Sequence, residues 1–220
     1  MYKIGIKSGM IWGKSRKLLE TALGDCYCQN KADIYFETMG RNSQFMVDKV
    51  LMNQQLDSLN IKHPKTYYHP FDDMPDFKAE CVVKHRFGSR GNHLTFTKFN
   101  KLDKQSLYIN NEYVQYYVPF EREFRVGWYD GEILGIREKI GDSKIRNSKS
   151  CRYETCRDLP FLREFANTVA IAFDIEFTGI DIGLWCNTFI VIELNSCPSV
   201  GEYWASKIVN HLINKLDNGG

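Results

Sequence analysis

Gly179-Ile180-Asp181-Ile182, followed by Val191-Ile192-Glu193-Leu194-Asn195, reads as a hairpin whose two strands carry acids in apolar surroundings. Asp181 lies twelve positions before Glu193, and Asn195 lies two after it. Side chains two apart on a strand share a face, so Glu193 and Asn195 aim together. A strand returning from Asp181 brings its carboxylate alongside. Three oxygen-bearing side chains meeting in this way suit a hard cation such as Mg²⁺. Phe189, Ile190, Val191, Ile192 and Leu194 form the kind of apolar run a buried strand shows. A carboxylate on a buried strand requires a partner or a metal. A solvated strand end carrying chance acids would show the same spacing, so the hairpin alone leaves both readings open.

A chain of 220 residues holds one compact unit or two small lobes around a cleft. Its apolar share of 43% and charged share of 25% are those of an ordinary soluble globular protein. It has no apolar run of about eighteen residues, so no membrane span is expected. Met1 to Lys7 lacks the apolar core of a signal peptide and reads better as a first strand. The seven cysteines are an odd number without C-x-x-C spacing, and Cys26 and Cys28 are the nearest pair. That pattern points to reduced, mostly buried thiols in the cytoplasm, not to a disulfide framework. A net charge of +2 is too small to imply non-specific nucleic-acid binding. Local basic clusters remain at Lys84 to Arg90 and Arg137 to Arg152, which either meet a specific anion or are solvated.

Working outward from the hairpin, the chain is not a regular βαβα alternation. Lys14 to Leu23 reads as a short helix stopped by Gly24, and Asp33 to Glu37 as a strand. Met46 to Leu59 reads as one helix with Val47, Val50, Leu51 and Leu59 on its apolar face, ended by Asn60 and Pro64. The period then changes to two. Strands are expected at Ala79 to Lys84, Leu94 to Phe99, Tyr113 to Val118, Glu123 to Tyr129 and Glu132 to Glu138. Asp130-Gly131 between the last two is a hairpin signal. A helix from Asp158 through Phe173 presents Phe161, Phe165, Val169 and Phe173 on one side. The acidic hairpin follows, then a helix from Gly201 to Leu216 with Trp204, Ile208, Leu212 and Leu216 at i, i+4 steps. This order predicts an α+β fold: two lobes with antiparallel sheets and a cleft between them.

Two further stretches carry chemistry. In Val82-Val83-Lys84-His85-Arg86-Phe87-Gly88-Ser89-Arg90-Gly91, a strand ends in a lysine and runs into a loop with two glycines. Glycines let backbone N–H groups approach an anion, and the lysine adds positive charge. It is not a P-loop, because the lysine precedes the glycines. A flexible hairpin loop is the plainer alternative. In Gln115-Tyr116-Tyr117-Val118-Pro119, a strand end before a proline can leave backbone groups to meet an adenine edge. Glu123 and Arg125 then share one face. Read without the rest, they are an edge strand and a surface ion pair.

Together these stretches resemble the ATP-grasp superfamily, most closely its carboxylate–amine ligases of the RimK and glutathione synthetase type. The likeness runs from Val47 to Gly201 through six motifs in order. They are Asp48-Lys49 opening a helix; Ile61-Lys-His-Pro64-Lys-Thr66; Val82-Val83-Lys84 with Gly88-Ser89-x-Gly91; Gln115-x-Tyr117-Val118; Glu123-Phe-Arg125-Val126; and Gly179-Ile-Asp181-Ile with Glu193-Leu-Asn195-Ser-x-Pro198.

The resemblance implies an α+β ATP-grasp fold, with a shortened α/β segment at 1–46 before the ATP-grasp domain at 47–220. The domain's lobes would be 47–118 and 119–220. It also implies roles. Lys49 and Lys84 would hold ATP phosphates, and Gly88, Ser89 and Gly91 would cover them. Gln115, Tyr116, Tyr117 and Val118 would form the adenine hinge, with Glu123 near the ribose. Asp181, Glu193 and Asn195 would bind one or two Mg²⁺ (or Mn²⁺) ions. Arg137, Lys139, Arg146 and Asn147 would neutralise the phosphoryl group in transfer, since charge neutralisation dominates such chemistry. The implied activity joins a carboxylate to an amine through an acyl phosphate. Its substrates are small molecules or peptides, with neither nucleic acid nor membrane as a partner.

The chain departs from that family in two places. The region before Val47 is short, so the substrate side is open or completed by a partner, as in a homodimer. Ser148-Lys-Ser-Cys-Arg-Tyr153 stands where relatives often have a glycine-rich turn. Two other activities fit the same motifs: a catalytically silent nucleotide-binding module, and a kinase-like phosphotransferase.

Overall fold

The computed structural model describes residues 2–7, 14–28, 32–37, 44–88, 94–141, 151–156, 159–195 and 201–218. The chain begins with β1 (Ile4–Lys7), α1 (Lys14–Leu23), β2 (Ile34–Glu37), α2 (Gln44–Val47) and α3 (Lys49–Ser58). Then come β3 (Thr66–Tyr67), β4 (Glu80–His85), β5 (Leu94–Lys98), α4 (Lys104–Ile109) and β6 (Glu112–Tyr116). The second half holds β7 (Arg122–Tyr129), β8 (Glu132–Ile140), β9 (Arg152–Thr155), α5 (Pro160–Ala172), β10 (Phe177–Trp185), β11 (Thr188–Asn195) and α6 (Glu202–Asp217). The strands make a five-stranded sheet in the order β11-β10-β7-β8-β9, a four-stranded sheet in the order β3-β6-β4-β5, and a β1-β2 pair. Both large sheets are antiparallel and the β1-β2 pair is parallel, which is the expected α+β class. Among the described residues no helix is long and apolar enough to cross a membrane.

The five-stranded sheet sits between two cores. On one face, Phe124 and Val126 of β7 and Ile180 and Ile182 of β10 pack with α5 and with Met52 and Leu56 of α3. On the other, Leu134 and Phe177 pack with Trp204, Ile208 and Leu212 of α6 and with Ile4, Leu19 and Phe36. The four-stranded sheet has a core of its own, including Cys81, Val83, Phe99 and Val114. Burial pushes the Cys81 thiol up to about 11, so it acts as a small hydrophobe. None of the six described cysteines forms a disulfide.

Several elements differ from the reading of the sequence. The helix expected over Met46 to Leu59 is two helices, because Asp48 is extended and its carboxylate accepts from the N–H groups of Val50 and Leu51. That is an N-cap, and it restarts the helix. The face of α3 also differs: Lys49, Met52, Asn53 and Leu56 are buried, while Val47 and Leu51 are exposed. The helix lies between two sheets, so its polar groups find partners inside. In α5, Leu162, Ala166, Val169 and Phe173 face the core, and Phe161 is 79% exposed. Pro160 sits in the first turn, where its missing N–H costs nothing. The short elements α4, β3 and β9 are additions.

The Asp130-Gly131 turn matches expectation. Both residues have positive φ, 43° and 88°, as a tight two-residue hairpin needs. Lys215 and His211 of α6 hold the Asp130 carboxylate at 2.8 and 3.0 Å, which offsets the strain on a non-glycine residue.

A row of glycines shapes the sheet face under α6. Gly179, Gly127 and Gly135 stand opposite one another on β10, β7 and β8. A Cβ on Gly127 would meet the Trp204 ring at 2.6 Å, and one on Gly135 would meet its Nε1 at 2.9 Å. Trp204 is fully buried and has no room to retreat. Gly127→Ala is therefore expected to destabilise the protein by about 1–3 kcal/mol through overpacking. Urea denaturation measures this, and an unchanged midpoint would contradict the packing.

Candidate active site

Beyond the glycine row, the same sheet face becomes a line of charge. Glu193 of β11, Asp181 of β10, Arg125 of β7 and Arg137 of β8 stand opposite one another on four adjacent strands. One step along, Lys139 of β8 stands opposite Tyr153 of β9, near Glu123 of β7. The register that creates this line includes a bulge. Asp181 pairs with Glu193 but Ile182 pairs with Val191, so Ile192 is an extra residue. Val191 and Leu194 then both enter the core, and Glu193 stays beside Asp181.

Asp181 is 4% exposed and fully occupied by cations. Arg125 grips it with two bonds, Nε to Oδ1 and Nη2 to Oδ2, both 2.7 Å. Lys139 Nζ adds a third at 2.8 Å to Oδ2. Burial alone would raise the Asp181 pKa, but Arg125 and Lys139 hold it well below the usual carboxylate range. Burial likewise works against charge on Arg125, and the contact with Asp181 overrides it, raising its pKa. Lys139 behaves the same way and also lies 3.8 Å from Glu123. Glu193 is paired with Lys49, the first residue of α3. Asn195, two residues on, is oriented by donating its amide to the Gly179 carbonyl at 3.3 Å. Among the described residues no three His, Cys, Asp or Glu side chains form a metal-holding group. The donor set here is two carboxylates and an amide. All are oxygen donors suited to a hard cation, although both carboxylates carry cationic side chains.

The four-stranded sheet contributes Lys84, from the end of β4. Burial pushes its pKa down to about 8, helped by Lys49 and Lys139 and opposed by Glu193 and Glu123. Lys84 is therefore within electrostatic reach of the charged line of the other sheet. Lys49, Lys84, Lys139, Asp181, Glu193 and Glu123 are thus brought together from two sheets and a helix.

The remaining expected residues are placed as follows. Gln115 is buried, and its amide nitrogen bonds to Asn53 Oδ1 at 3.0 Å and to Thr66 Oγ1 at 2.9 Å. It ties β6 to α3 and β3, while its Oε1 has no partner. The Tyr116 N–H goes to Lys65 at 3.0 Å and the Tyr117 N–H to Glu80 at 3.1 Å, so those two hinge donors serve the fold. Tyr116 packs on Phe99 at 4.8 Å, and Tyr117 on Phe96 at 5.6 Å. The Val118 carbonyl accepts from the Phe120 N–H at 3.0 Å, and the Gly88 N–H donates to His85 at 3.0 Å. Arg137 stacks over the Trp204 ring at 5.1 Å. Ser89, Gly91, Arg146 and Asn147 lie outside the described residues. Two groups take parts that the sequence does not assign them. Arg125, expected in a surface ion pair with Glu123, holds the buried Asp181. Arg86, from the basic cluster after β4, instead braces the α3 cap by bonding Asp48 through Nε at 2.8 Å.

Two antiparallel sheets, with lysines from each beside a shared acidic line, define a class of two-sheet α+β architecture. The chain has the ATP-grasp fold. The D-alanine–D-alanine ligase of Bacillus anthracis superposes with a TM-score of 0.66 at 12% identity, over 100% of each chain. A RimK-domain ATP-grasp protein of Sphaerobacter thermophilus gives 0.65 at 11% identity, covering 94% of this chain and 98% of that one. The ATP-grasp ligase PsnB, solved with a minimal precursor, gives 0.62 at 13% identity. That match covers 83% of this chain but only 64% of PsnB. No protein-family model matches the chain, and no curated protein matches it by sequence.

Proposed function

We propose that the protein is an ATP- and Mg²⁺-dependent ligase that joins a carboxylate to an amine, releasing ADP and phosphate. The observation that carries this reading is the convergence of Lys49, Lys84, Lys139 and Arg125 on Asp181 and Glu193. A triphosphate needs several cations, and a phosphoryl acceptor needs charge neutralisation on its far side. The ligase fold of the neighbours supports the same class, and D-alanine–D-alanine ligase of B. anthracis is known with ATP.

In this reading, Lys49 and Lys84 hold phosphates from the side of α3 and β4. Gly88, Ser89 and Gly91 are assigned to covering them. Gln115, Tyr116, Tyr117 and Val118 form the base-binding hinge, and Glu123 meets the ribose. Asp181, Glu193 and Asn195 would hold Mg²⁺, which would supply charge neutralisation on the phosphates. Arg125 and Lys139, which bond Asp181, are cations that phosphates could engage. Arg137, Lys139, Arg146 and Asn147 are assigned to neutralising the phosphoryl group in transfer. The carboxylate oxygen attacks the γ-phosphorus and the bond to ADP breaks. The amine then attacks the acyl carbon, phosphate leaves with one carboxylate oxygen, and the amine gives up a proton. A peptide substrate is favoured, because PsnB was solved with a precursor peptide. Screening amino acids and peptides for ADP release tests the proposal. Turnover should require both a carboxylate and an amine.

One observation favours a second reading. Asp181 is saturated by Arg125 and Lys139, as in a nucleotide-binding module with no chemistry. Tight ATP binding with no stimulation by any acceptor pair would decide for it.

Lys84 gives the site a pH signature. Its pKa of about 8 means that it loses its charge as pH rises through 8 in the empty protein. Bound phosphates restore the charge, so nucleotide affinity is expected to fall above pH 8, by up to about tenfold per pH unit. Lys84→Arg should flatten that slope. Calorimetric ATP titrations from pH 7 to 10 measure it, and equal slopes in both proteins would contradict the role.

A further inference from the structure

We propose that Tyr153 is a substrate-contacting residue, whose hydroxyl donates a hydrogen bond to an oxyanion on the acceptor side of the site. That oxyanion is a carboxylate or the phosphoryl group passed to it. The inference rests on the ligase reading above and adds a residue which that reading does not use.

Tyr153 lies on β9, the edge strand farthest from Glu193 and Lys49. It stands opposite Lys139, so the two side chains share the charged face of the sheet. The Arg125 guanidinium lies 5.7 Å from the centre of its ring. Its hydroxyl oxygen is buried and has no hydrogen-bond partner among the described residues. Buried polar groups are nearly always paired, and an exception beside a charged cluster marks a place where a partner arrives. Burial raises the Tyr153 pKa, with Arg125 and Lys139 opposing and Asp181 and Cys151 adding to it. The group is therefore an O–H donor at neutral pH. The cations Arg125 and Lys139 act on Tyr153 directly, as does the Asp181 carboxylate, while Glu123 lies beyond Lys139 at 3.8 Å. A fixed O–H donor beside two cations suits an oxyanion. The position matters as much as the chemistry. Lys49 meets Glu193 at the β11 end of the line, and Tyr153 stands on the strand at the opposite end, where a nucleotide's reaction partner would lie.

The test compares wild type with Tyr153→Phe, which keeps the ring and deletes the hydroxyl. ADP with Mg²⁺ is titrated first, then inorganic phosphate and succinate separately, by calorimetry. Thermal unfolding is recorded for both proteins. The expected result is phosphate or succinate binding weakened about tenfold in the variant, with ADP affinity unchanged. The anion affected identifies the source. The variant should melt at the same temperature or higher, because it no longer buries an unpaired hydroxyl. Equal anion affinities in the two proteins, or no anion binding by wild type, would overturn the proposal. A lowered melting temperature with ADP and anion affinities falling together would also overturn it, by showing a structural role. If ADP fails to bind wild type, the ligase reading falls. The anion comparison on the protein alone still decides the role of Tyr153.

Discussion

Replacing Asp181 by alanine is expected to cost about 3–5 kcal/mol of folding stability, since it strands two buried cations. Arg125 and Lys139 are both largely buried and both bonded to this one carboxylate. An exposed pair would contribute little, but here water cannot replace the lost anion. Asp181→Asn should lose much of the same stability, because the amide keeps the shape but not the charge. Guanidinium denaturation at pH 7 measures both. A change below about 1 kcal/mol in the alanine variant would show that the triad does not hold the sheet face together. The pH dependence follows with a definite sign. The folded carboxyl pKa is depressed, so the unfolded state binds the proton more readily. The contribution is in place above the ordinary carboxylate value of about 4 and is lost as pH falls below it.

Glu193→Gln should have the largest effect on activity while sparing the fold. Gln keeps the length of the side chain and can still accept from Lys49, so α3 stays tied to β11. It removes one of the two carboxylates of the proposed metal set, the one bonded to Lys49. Losing metal neutralisation forfeits several kcal/mol of transition-state stabilisation. Turnover is therefore expected to fall by about 10³-fold or more, equivalent to about 4 kcal/mol. The thermal midpoint should stay close to that of wild type. Steady-state ADP release with saturating Mg²⁺ measures the effect, and turnover like wild type would remove Glu193 from the metal set.

Asp181 and Asp48 show how much of this site the sequence discloses. The acidic hairpin is legible because its strands are long and its turn sits between clear apolar runs. The Asp130-Gly131 hairpin is legible because positive φ restricts which residues fit. The bulge at Ile192 is not, since strict alternation would set Val191 on the face of Glu193. The inward face of α3 is hidden for a different reason. Lys49 and Asn53 are buried because Glu193, Thr66 and Gln115 meet them from distant strands. No local pattern carries that information. The Arg125–Asp181 pair spans 56 residues and depends on strand order. The helix α4 and strand β9 are too short for a period to show, and Tyr153 on β9 was visible only as a departure from the family pattern. Phe161 illustrates the reverse error: helical spacing admits several faces, and packing selects one.

Oxygen-isotope transfer reports on the acyl-phosphate step itself. The carboxylate substrate identified by ADP release is labelled with ¹⁸O in both carboxyl oxygens and incubated with ATP, Mg²⁺ and the amine. The account predicts that each phosphate released carries one labelled oxygen, because the carboxylate attacks the γ-phosphorus before the amine displaces phosphate. Phosphate free of label, or a stable phosphorylated product that accumulates without amide formation, would contradict it.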